Sequence, residues 1–211
     1  MCDEFINPGL VEDPRLTRRA FGLITLAAAG AACAAPPGPA VTEKDVTVKT
    51  PDGSADAVLF APAKAGKFPA VLMWPDIMGL RPAFRDMGRR LAGEGYVVLV
   101  PNPYYRTKRA PVIEGTIDFS NPAQRDTLMG LRKTMTDERV ATDAAAYFAF
   151  LDAQPKTNVR RNAGVQGYCM SGAFSFISAA AVPKRIRAVA SFHGGNGLAK
   201  VDCAARAAVE A

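Results

Sequence analysis

The residue whose setting suggests chemistry most directly is Cys169, which stands between a short strand pattern and an apolar helix pattern. Gly167 lies two residues before it, and the small Ser171 lies two residues after it. A nucleophile on a sharp strand-to-helix turn needs small neighbours at those positions, because its strained backbone brings them close together. A thiol placed there also has the N-terminus of its own helix behind it, which favours the thiolate. The spacing therefore predicts a cysteine nucleophile on a nucleophile elbow.

Other interpretations of this turn stay open from the sequence. Cys169 as an inert buried thiol is one alternative, and a disulfide between Cys169 and Cys203 is another. Ser171 is an alternative nucleophile, although the residue two places before it is a cysteine rather than a glycine. A thiol redox function for Cys169 is a further alternative.

The segments around the turn alternate between strand and helix patterns, which favours an α/β fold with a mostly parallel sheet. Residues 46–50 and 55–60 flank the turn sequence Pro51-Asp52-Gly53, so they predict an opening antiparallel hairpin. Later strands are predicted by apolar runs at 70–74, 96–101 and 186–192, and by the residues from Gly164 up to the elbow.

Capping residues and apolar spacing predict the helices between these strands. One helix begins at Pro82, Asn121 caps a second, and Thr136 caps a third that runs to about Ala153. A fourth helix follows the elbow. The long excursion that begins after residue 101 lies at a strand end, where such segments often cover active sites.

The N-terminal segment resembles an export signal of the twin-arginine type. Arg18 and Arg19 precede an apolar run at 23–32 that is rich in Ala and Gly and too short for a stable membrane anchor. Small residues around Cys33 and a Pro-rich stretch follow, as in a cleavage region and linker. The alternatives are an amphipathic or buried N-terminal helix, and lipidation at Cys33.

From these patterns we expect residues 1–40 to be a signal and linker, and residues 41–211 to belong to one α/β domain. An export signal of this type predicts a periplasmic protein. Membrane association is expected only if Cys33 is lipidated.

The overall composition narrows the function classes. The chain has 211 residues, of which 49% are hydrophobic and 22% charged, and this balance is typical of a globular protein. Its net charge is +6, but the Lys and Arg residues are scattered and not interleaved with aromatic residues, so we expect no nucleic-acid binding. A positive field mildly favours anionic small substrates. The four cysteines have no zinc-like spacing and His193 is the single histidine, so no metal or cofactor is implied.

Three segments together resemble a known family. Gly167–Gly172 reads GYCMSG, Trp74–Leu80 reads WPDIMGL, and Val100–Tyr105 reads VPNPYY. They are similar to the G-Y-C-x-G-G elbow, the acidic-Ile-x-Gly loop and the Pro-Asp-Leu-Tyr strand exit of the dienelactone hydrolase (carboxymethylenebutenolidase) family, with Asn102 where Asp is common. The resemblance covers about residues 42 to 195. It implies the α/β-hydrolase fold and hydrolysis of a lactone or carboxylic ester, without a cofactor.

The resemblance also implies roles for individual residues. Cys169 would be the nucleophile, and the backbone N–H groups of Met170 and Ile77 would form the oxyanion hole. Asp76 corresponds to the acidic residue that contacts the resting thiol and helps to activate it; the alternative is that Asp76 caps its own loop. The residues expected to contact the substrate are Arg125, Arg106, Tyr105 and His193. The alternative for Arg125 is that it lies on a solvated helix face and does not contact the substrate.

The catalytic triad of this fold continues from the nucleophile to an Asp and then a His, each after a later strand. His193 follows the strand directly after the elbow, so we expect it to line the pocket, with a role as catalytic base as the alternative. The resemblance therefore predicts a family member that looks C-terminally truncated and lacks the final strands, with low turnover and an exposed sheet edge near 186–192. A non-catalytic remnant or small-molecule binding protein of the same fold is the alternative.

Overall fold

The computed structural model describes residues 39–194, which form a six-stranded sheet in the spatial order β1-β2-β4-β3-β5-β6. The strands are Val41–Thr50 (β1), Gly53–Pro62 (β2), Ala70–Trp74 (β3), Val97–Pro101 (β4), Ala163–Tyr168 (β5) and Ile186–Phe192 (β6). The β1–β2 and β2–β4 pairs are antiparallel, whereas β4–β3, β3–β5 and β5–β6 are parallel. The predicted α/β fold with an opening antiparallel hairpin is confirmed.

Within residues 39–194, four α-helices accompany the sheet, and their starts follow from the sequence. They are Pro82–Gly93 (α1), Pro122–Lys133 (α2), Asp137–Asp152 (α3) and Gly172–Ala181 (α4). The side chain of Asn121 accepts hydrogen bonds from the N–H groups of Ala123 and Gln124, and Thr136 Oγ1 accepts one from the N–H of Arg139. Each cap satisfies amide groups that a helix start leaves without partners. Both predicted N-caps are therefore confirmed.

The central strands are buried on both faces of the sheet. All five residues of β3 and all five of β4 are buried. In β4, Val98 and Val100 pack in the cluster that includes Phe84 of α1, whereas Val97 and Leu99 pack in the cluster formed with α3 and α4. Alternate side chains of a strand point to opposite faces, so layers on both faces require an uninterrupted apolar sequence.

Trp74, the last residue of β3, fixes the start of the following loop. Its ring is fully buried and meets Tyr147 of α3 and Phe174 of α4 edge-on, at centroid distances of 5.5 and 5.6 Å. Its indole N–H donates to Ser178 Oγ at 3.0 Å. Burying such a ring contributes about 2–3 kcal/mol, with about 1 kcal/mol more from each aromatic contact. The loop after β3 is thus tied to the helix that follows the elbow.

β6 lies at one edge of the sheet. Among the described strands it pairs only with β5, and Arg187 and Ala188 on it are exposed. This agrees with the predicted exposed edge for the part of the chain that the structure describes. Nearly all of the predicted signal segment, and the tail beyond Gly194, lie outside the described residues. Among residues 39–194, no helix combines the length and the apolarity needed to cross a bilayer.

Candidate active site

Cys169 occupies the strained turn between β5 and α4. Its φ angle is +53°, in the left-handed region that residues with a side chain rarely adopt, and a short 3-10 turn over Cys169–Ser171 leads into the helix. The thiol is free and half-buried. Non-glycine residues are held in such conformations mainly at functional sites, because the surrounding structure must offset the strain. The geometry agrees with the predicted nucleophile elbow. Cys203, the partner in the disulfide alternative, lies outside the described residues.

The close neighbours of Cys169 must be small, as the spacing predicts. A Cβ atom on Gly167 would lie 1.9 Å from the carbonyl oxygen of Ser171. A Cβ atom on Gly172 would lie 2.3 Å from Ser191 Oγ on β6. Real Cβ atoms do not approach other atoms this closely, so only glycine fits at either position.

Ser171 anchors the elbow to the loop after β3. It is fully buried, and its hydroxyl donates to the carbonyl oxygen of Pro75. A buried hydroxyl with this bond is neither exposed to a substrate nor paired with a base. The geometry therefore favours Cys169 over Ser171 as the nucleophile.

Asp76 folds back on its own loop. One carboxylate oxygen, Oδ1, accepts from the Met78 N–H at 3.0 Å and from Arg81 at 2.6 Å, and Oδ2 accepts from Arg81 at 2.8 Å. No hydrogen bond links Asp76 to Cys169 among the described residues. The observed contacts are those of the loop-capping alternative, and the thiol-activating role that the resemblance implies stays a prediction.

Tyr104 contacts the two segments that carry the predicted oxyanion donors. It lies in the strand-exit segment Val100–Tyr105 that carries the family resemblance, but the sequence predicted no role for it. Its side chain is 1% exposed. Its hydroxyl donates to the carbonyl oxygen of Ile77 at 2.8 Å and contacts Met170 Sδ at 3.5 Å. Burial raises the pKa of Tyr104 well above its ordinary value, so the hydroxyl stays a donor at neutral pH. The Tyr104 side chain thus contacts both segments.

A buried amide–carboxylate pair holds the loop that carries Tyr104. Asn102 Nδ2 donates to Asp56 Oδ1 at 3.0 Å and to the Lys108 carbonyl at 2.8 Å, and Asn102 Oδ1 accepts from the Tyr104 N–H at 3.0 Å. The other carboxylate oxygen of Asp56 accepts from the Ala110 N–H at 2.9 Å. Aspartate at position 102 would place two carboxylates side by side, which explains why this chain has an amide there.

The side chains of Arg106 and Tyr105, both predicted to contact the substrate, bind a buried carboxylate of the protein itself. Asp143 of α3 is fully buried and accepts from two Arg106 nitrogens at 2.7 and 2.8 Å and from the Tyr105 hydroxyl at 2.8 Å. Arg106 also pairs with Asp52 at 2.8 Å. Burial raises the pKa of Asp143 even though Arg106 and Tyr105 favour its ionised form. A substrate anion at Arg106 would have to compete with Asp143.

The two arginines of α2 differ in their placement. Arg125 is exposed on the helix surface, which agrees with the alternative that it lies on a solvated helix face. Arg132 is half-buried, with its guanidinium carbon 5.2 Å from the centre of the Phe174 ring and one nitrogen donating to the Met135 carbonyl at 3.1 Å. Its charge acts on the hydroxyl of Tyr104, where it favours the ionised form. Within residues 39–194, Arg132 has no carboxylate partner, and through Phe174 it contacts the helix that follows the elbow.

His193 is exposed at the exit of β6, with a φ angle of +59°. No hydrogen bond in the described part of the chain joins it to Cys169. Next to it, Phe192 stacks on Tyr168, the residue before Cys169, at a centroid distance of 4.9 Å. The position agrees better with a loop role for His193 than with a paired catalytic base.

In the part of the chain that the structure describes, two cavities lie beside α1, with volumes of about 710 and 360 Å³, and the larger one extends to β6. Gln166 and Leu91 line both, and Arg160, Arg161 and Arg187 lie around the larger one. Neither is lined by Cys169. Among the described residues there is no cluster of three or more side chains able to hold a metal ion.

Known proteins place this architecture in a family. The sequence model of the dienelactone hydrolase family matches residues 55–210. The chain belongs to the dienelactone hydrolase family. The carboxymethylenebutenolidase of a Pseudomonas species is 32% identical over 128 residues, covering 61% of this chain and 51% of that protein. The carboxymethylenebutenolidase of Rhodococcus opacus is 26% identical over 140 residues, covering 66% of this chain and 50% of that protein.

Solved structures of the dienelactone hydrolase type share the fold. A dienelactone hydrolase-like promiscuous phosphotriesterase from metagenomic libraries superposes with a TM-score of 0.58 at 23% identity, covering 74% of this chain and 60% of the other. The chain spans about half the length of the curated relatives it matches, 51% and 50% of the two carboxymethylenebutenolidases above. Family membership therefore identifies an ester- or lactone-hydrolase lineage, and the activity of this chain has to be argued from its own residues.

Proposed function

We propose that this chain reacts as a dienelactone-hydrolase-type acyl acceptor, with Cys169 as the nucleophile toward a lactone or carboxylic ester. The observation that carries the proposal is the free, half-buried Cys169 thiol at φ +53° on the turn between β5 and α4. In open α/β sheets, ligands bind at the carboxyl ends of the parallel strands, and this turn lies at that edge.

The proposed reaction is acyl transfer. The Cys169 thiolate adds to the carbonyl carbon, a C–S bond forms, and the carbonyl π electrons move to the oxygen. The tetrahedral intermediate then collapses, the C–O bond to the leaving alkoxide breaks, and the alkoxide takes a proton from solvent to leave as an alcohol. A thioester on Cys169 remains, which water hydrolyses to the carboxylic acid and the free thiol. In a lactone the alcohol stays attached to the acyl group.

The oxyanion of the intermediate needs donors that are already in place before it forms. The N–H groups of Met170 and Ile77 are the proposed donors. Support comes from two contacts that hold their segments together: the Ser171 hydroxyl on the Pro75 carbonyl, and the Tyr104 hydroxyl on Ile77 and Met170.

An acidic substrate is favoured by the charges near the elbow. Arg132 has no carboxylate partner among the described residues, whereas Arg106 is bound to Asp143. We therefore assign Arg132 the contact with a substrate carboxylate, with Arg125 as the assignment that the sequence alone supports.

Deacylation is the step that we expect to be slow. Activation of water needs a base near the thioester, and His193 is the single histidine of the chain. It is exposed and forms no hydrogen bond with Cys169 within the described residues. Acylation without efficient turnover follows from this arrangement.

The second candidate is a small-molecule binding protein of the same fold. The observation in its favour is that neither of the two cavities beside α1 is lined by Cys169. On this interpretation the elbow keeps its geometry but does not react with esters.

Exposure of the chain to p-nitrophenyl acetate separates the two candidates. The acyl-acceptor proposal predicts a rapid burst of p-nitrophenolate, close to one equivalent per chain, followed by a slow steady release. Cys169→Ala is the matched control, since it keeps the other three cysteines and must lose the burst. A wild-type chain that releases p-nitrophenolate no faster than Cys169→Ala would favour the binding protein.

The N-terminal sequence supports export as part of this proposal. We propose that residues 1–40 direct the folded chain to the periplasm by the twin-arginine route, with lipidation at Cys33 as the alternative outcome. Either location would let the enzyme meet esters outside the cytoplasm.

A further inference from the structure

The peptide group between Ile77 and Met78 is held from both of its polar ends. Its carbonyl oxygen, on Ile77, accepts the Tyr104 hydroxyl at 2.8 Å. Its N–H, on Met78, donates to Asp76 Oδ1 at 3.0 Å. A peptide unit is planar, so two such bonds fix the orientation of the whole unit. That orientation sets the ψ angle of Ile77 and limits how the neighbouring Ile77 N–H can turn.

We propose that Tyr104 and Asp76 are positioning residues that clamp the Ile77–Met78 peptide and thereby aim the Ile77 N–H at the oxyanion. The inference rests on the proposed acylation of Cys169, because the oxyanion exists only if a carbonyl is attacked there. It assigns Asp76 a task that differs from activating the thiol, and it assigns Tyr104 a task that the sequence did not reveal.

The surroundings of Tyr104 suit such a task. The hydroxyl also contacts Met170 Sδ at 3.5 Å, so one rigid side chain sets the distance between the two donor segments. Its ring lies 3.4 Å from the point where a Cβ atom on Gly79 would stand, and Gly79 has a φ angle of +72°. The ring therefore packs directly against the loop that it orients, and a side chain at position 79 would crowd it.

The other anchors of this loop make the clamp rigid. Arg81 donates to both carboxylate oxygens of Asp76, which keeps Asp76 Oδ1 directed at the Met78 N–H. Asn102 Oδ1 accepts from the Tyr104 N–H and is itself fully buried. Donors for a developing charge contribute most when they need no rearrangement during the reaction.

The test compares Tyr104→Phe with Tyr96→Phe. Tyr96 directly precedes β4, and no hydrogen bond of its hydroxyl is found among residues 39–194. Two reactions at Cys169 are followed by mass spectrometry of the peptide that contains it. Acylation by p-nitrophenyl acetate passes through an oxyanion. Alkylation by iodoacetamide displaces iodide at a saturated carbon and builds no oxyanion, so it reports only the reactivity and access of the thiol.

We expect Tyr104→Phe to slow acylation roughly tenfold, a partial loss compared with removing a donor outright. Alkylation should stay within about twofold of the wild type, and Tyr96→Phe should leave both rates unchanged. Equal acylation rates in Tyr104→Phe and wild type would overturn the inference. A parallel fall in acylation and alkylation would also overturn it, since that points to a changed thiol or a loosened fold.

Amide hydrogen exchange provides a readout that does not depend on activity. Loss of the Tyr104 hydroxyl removes the bond to the Ile77 carbonyl, so the Ile77–Met78 peptide should open more often. Exchange of the Met78 N–H should then speed up roughly fivefold, the factor expected for one ordinary hydrogen bond. Exchange at wild-type rates would refute the clamp itself. If the wild-type chain is not acylated at all, the proposed function and the oxyanion role both fail, whereas the exchange measurement still decides whether the clamp exists.

Discussion

Replacing Asn102 with aspartate tests how firmly the loop after β4 is held. The Asn102 side chain is fully buried, and its amide nitrogen lies 3.0 Å from Asp56 Oδ1 and 2.8 Å from the Lys108 carbonyl. Asn102→Asp keeps the shape of the side chain but exchanges this donor for a second carboxyl oxygen facing Asp56.

The cost follows from the geometry. Two carboxylates at about 3 Å repel by about 5 kcal/mol at an effective dielectric constant of about 20, so one of them binds a proton instead. Holding that proton at pH 7 costs about 1.4 kcal/mol for each pH unit above an ordinary pKa of about 3.9, which comes to about 4 kcal/mol. The protonated group still donates to Asp56, but the Lys108 carbonyl loses its donor at about 1 kcal/mol. We expect a loss of about 5 kcal/mol at pH 7.

The loss of unfolding free energy grows as pH rises. The folded variant binds a proton that the unfolded chain has released, so the free energy of unfolding falls as pH rises above the ordinary pKa. At pH 5 the proton costs only about 1.5 kcal/mol, and the total loss shrinks to about 2.5 kcal/mol.

Urea unfolding followed by circular dichroism at pH 5 and pH 7 measures the difference, with the wild-type chain measured at each pH. Asn102→Ala is the control, because it removes the same amide without adding an acid, and its cost should change much less with pH. The double variant Asp56→Asn with Asn102→Asp restores an amide–carboxylate pair and should recover most of the loss at pH 7. An Asn102→Asp cost that is the same at both pH values would refute the reasoning.

Three further predictions concern the elbow, the anion contact and the export signal. Gly167→Ala should cost about 3 kcal/mol or more in urea unfolding, because its Cβ would lie 1.9 Å from a backbone carbonyl oxygen; a loss below 1 kcal/mol would contradict the elbow geometry. Arg132→Gln should reduce the preference of Cys169 for an acidic ester over p-nitrophenyl acetate roughly tenfold, whereas the same effect from Arg125→Gln alone would show that Arg125 makes the contact. Replacing the Arg18–Arg19 pair with lysines should retain the chain in the cytoplasm in cell fractionation, and unchanged export would exclude the twin-arginine route.

The sequence was most informative where a structure depends on neighbours along the chain. The caps at Asn121 and Thr136 involve amides two or three residues away, and both formed as predicted. The requirement for glycine at 167 also follows from local backbone geometry at Cys169. Such features leave a residue-type pattern that can be found without knowing the fold.

The partners of the charged site residues could not be found this way. The bonds from Arg106 to Asp143 and from Tyr104 to Ile77 join residues 37 and 27 positions apart, and their pairing depends on the arrangement of strands and helices. The sequence offered Arg106 and Arg125 as anion contacts, but one is occupied and the other exposed. Arg132 emerged only because α2 turns that side chain toward Phe174.

The partners of Asp76 could not be predicted from the sequence either, although they lie within five residues of it in the chain. Its position in the loop matched the acidic residue of the family, yet its carboxylate is bound to Arg81 and to the Met78 N–H. Both capping and thiol activation use an acidic residue at this position, so residue type alone does not separate them. The direction of the side chain favours a positioning role.

The central claim is that Cys169 accepts an acyl group, and its most direct test is the mass of the Cys169 peptide after brief exposure to p-nitrophenyl acetate and acid quenching. One acetyl group is expected on this peptide, formed faster than on the other three cysteines and much more slowly when the chain is unfolded first. Acetylation of Cys169 no faster than in the unfolded chain would contradict it.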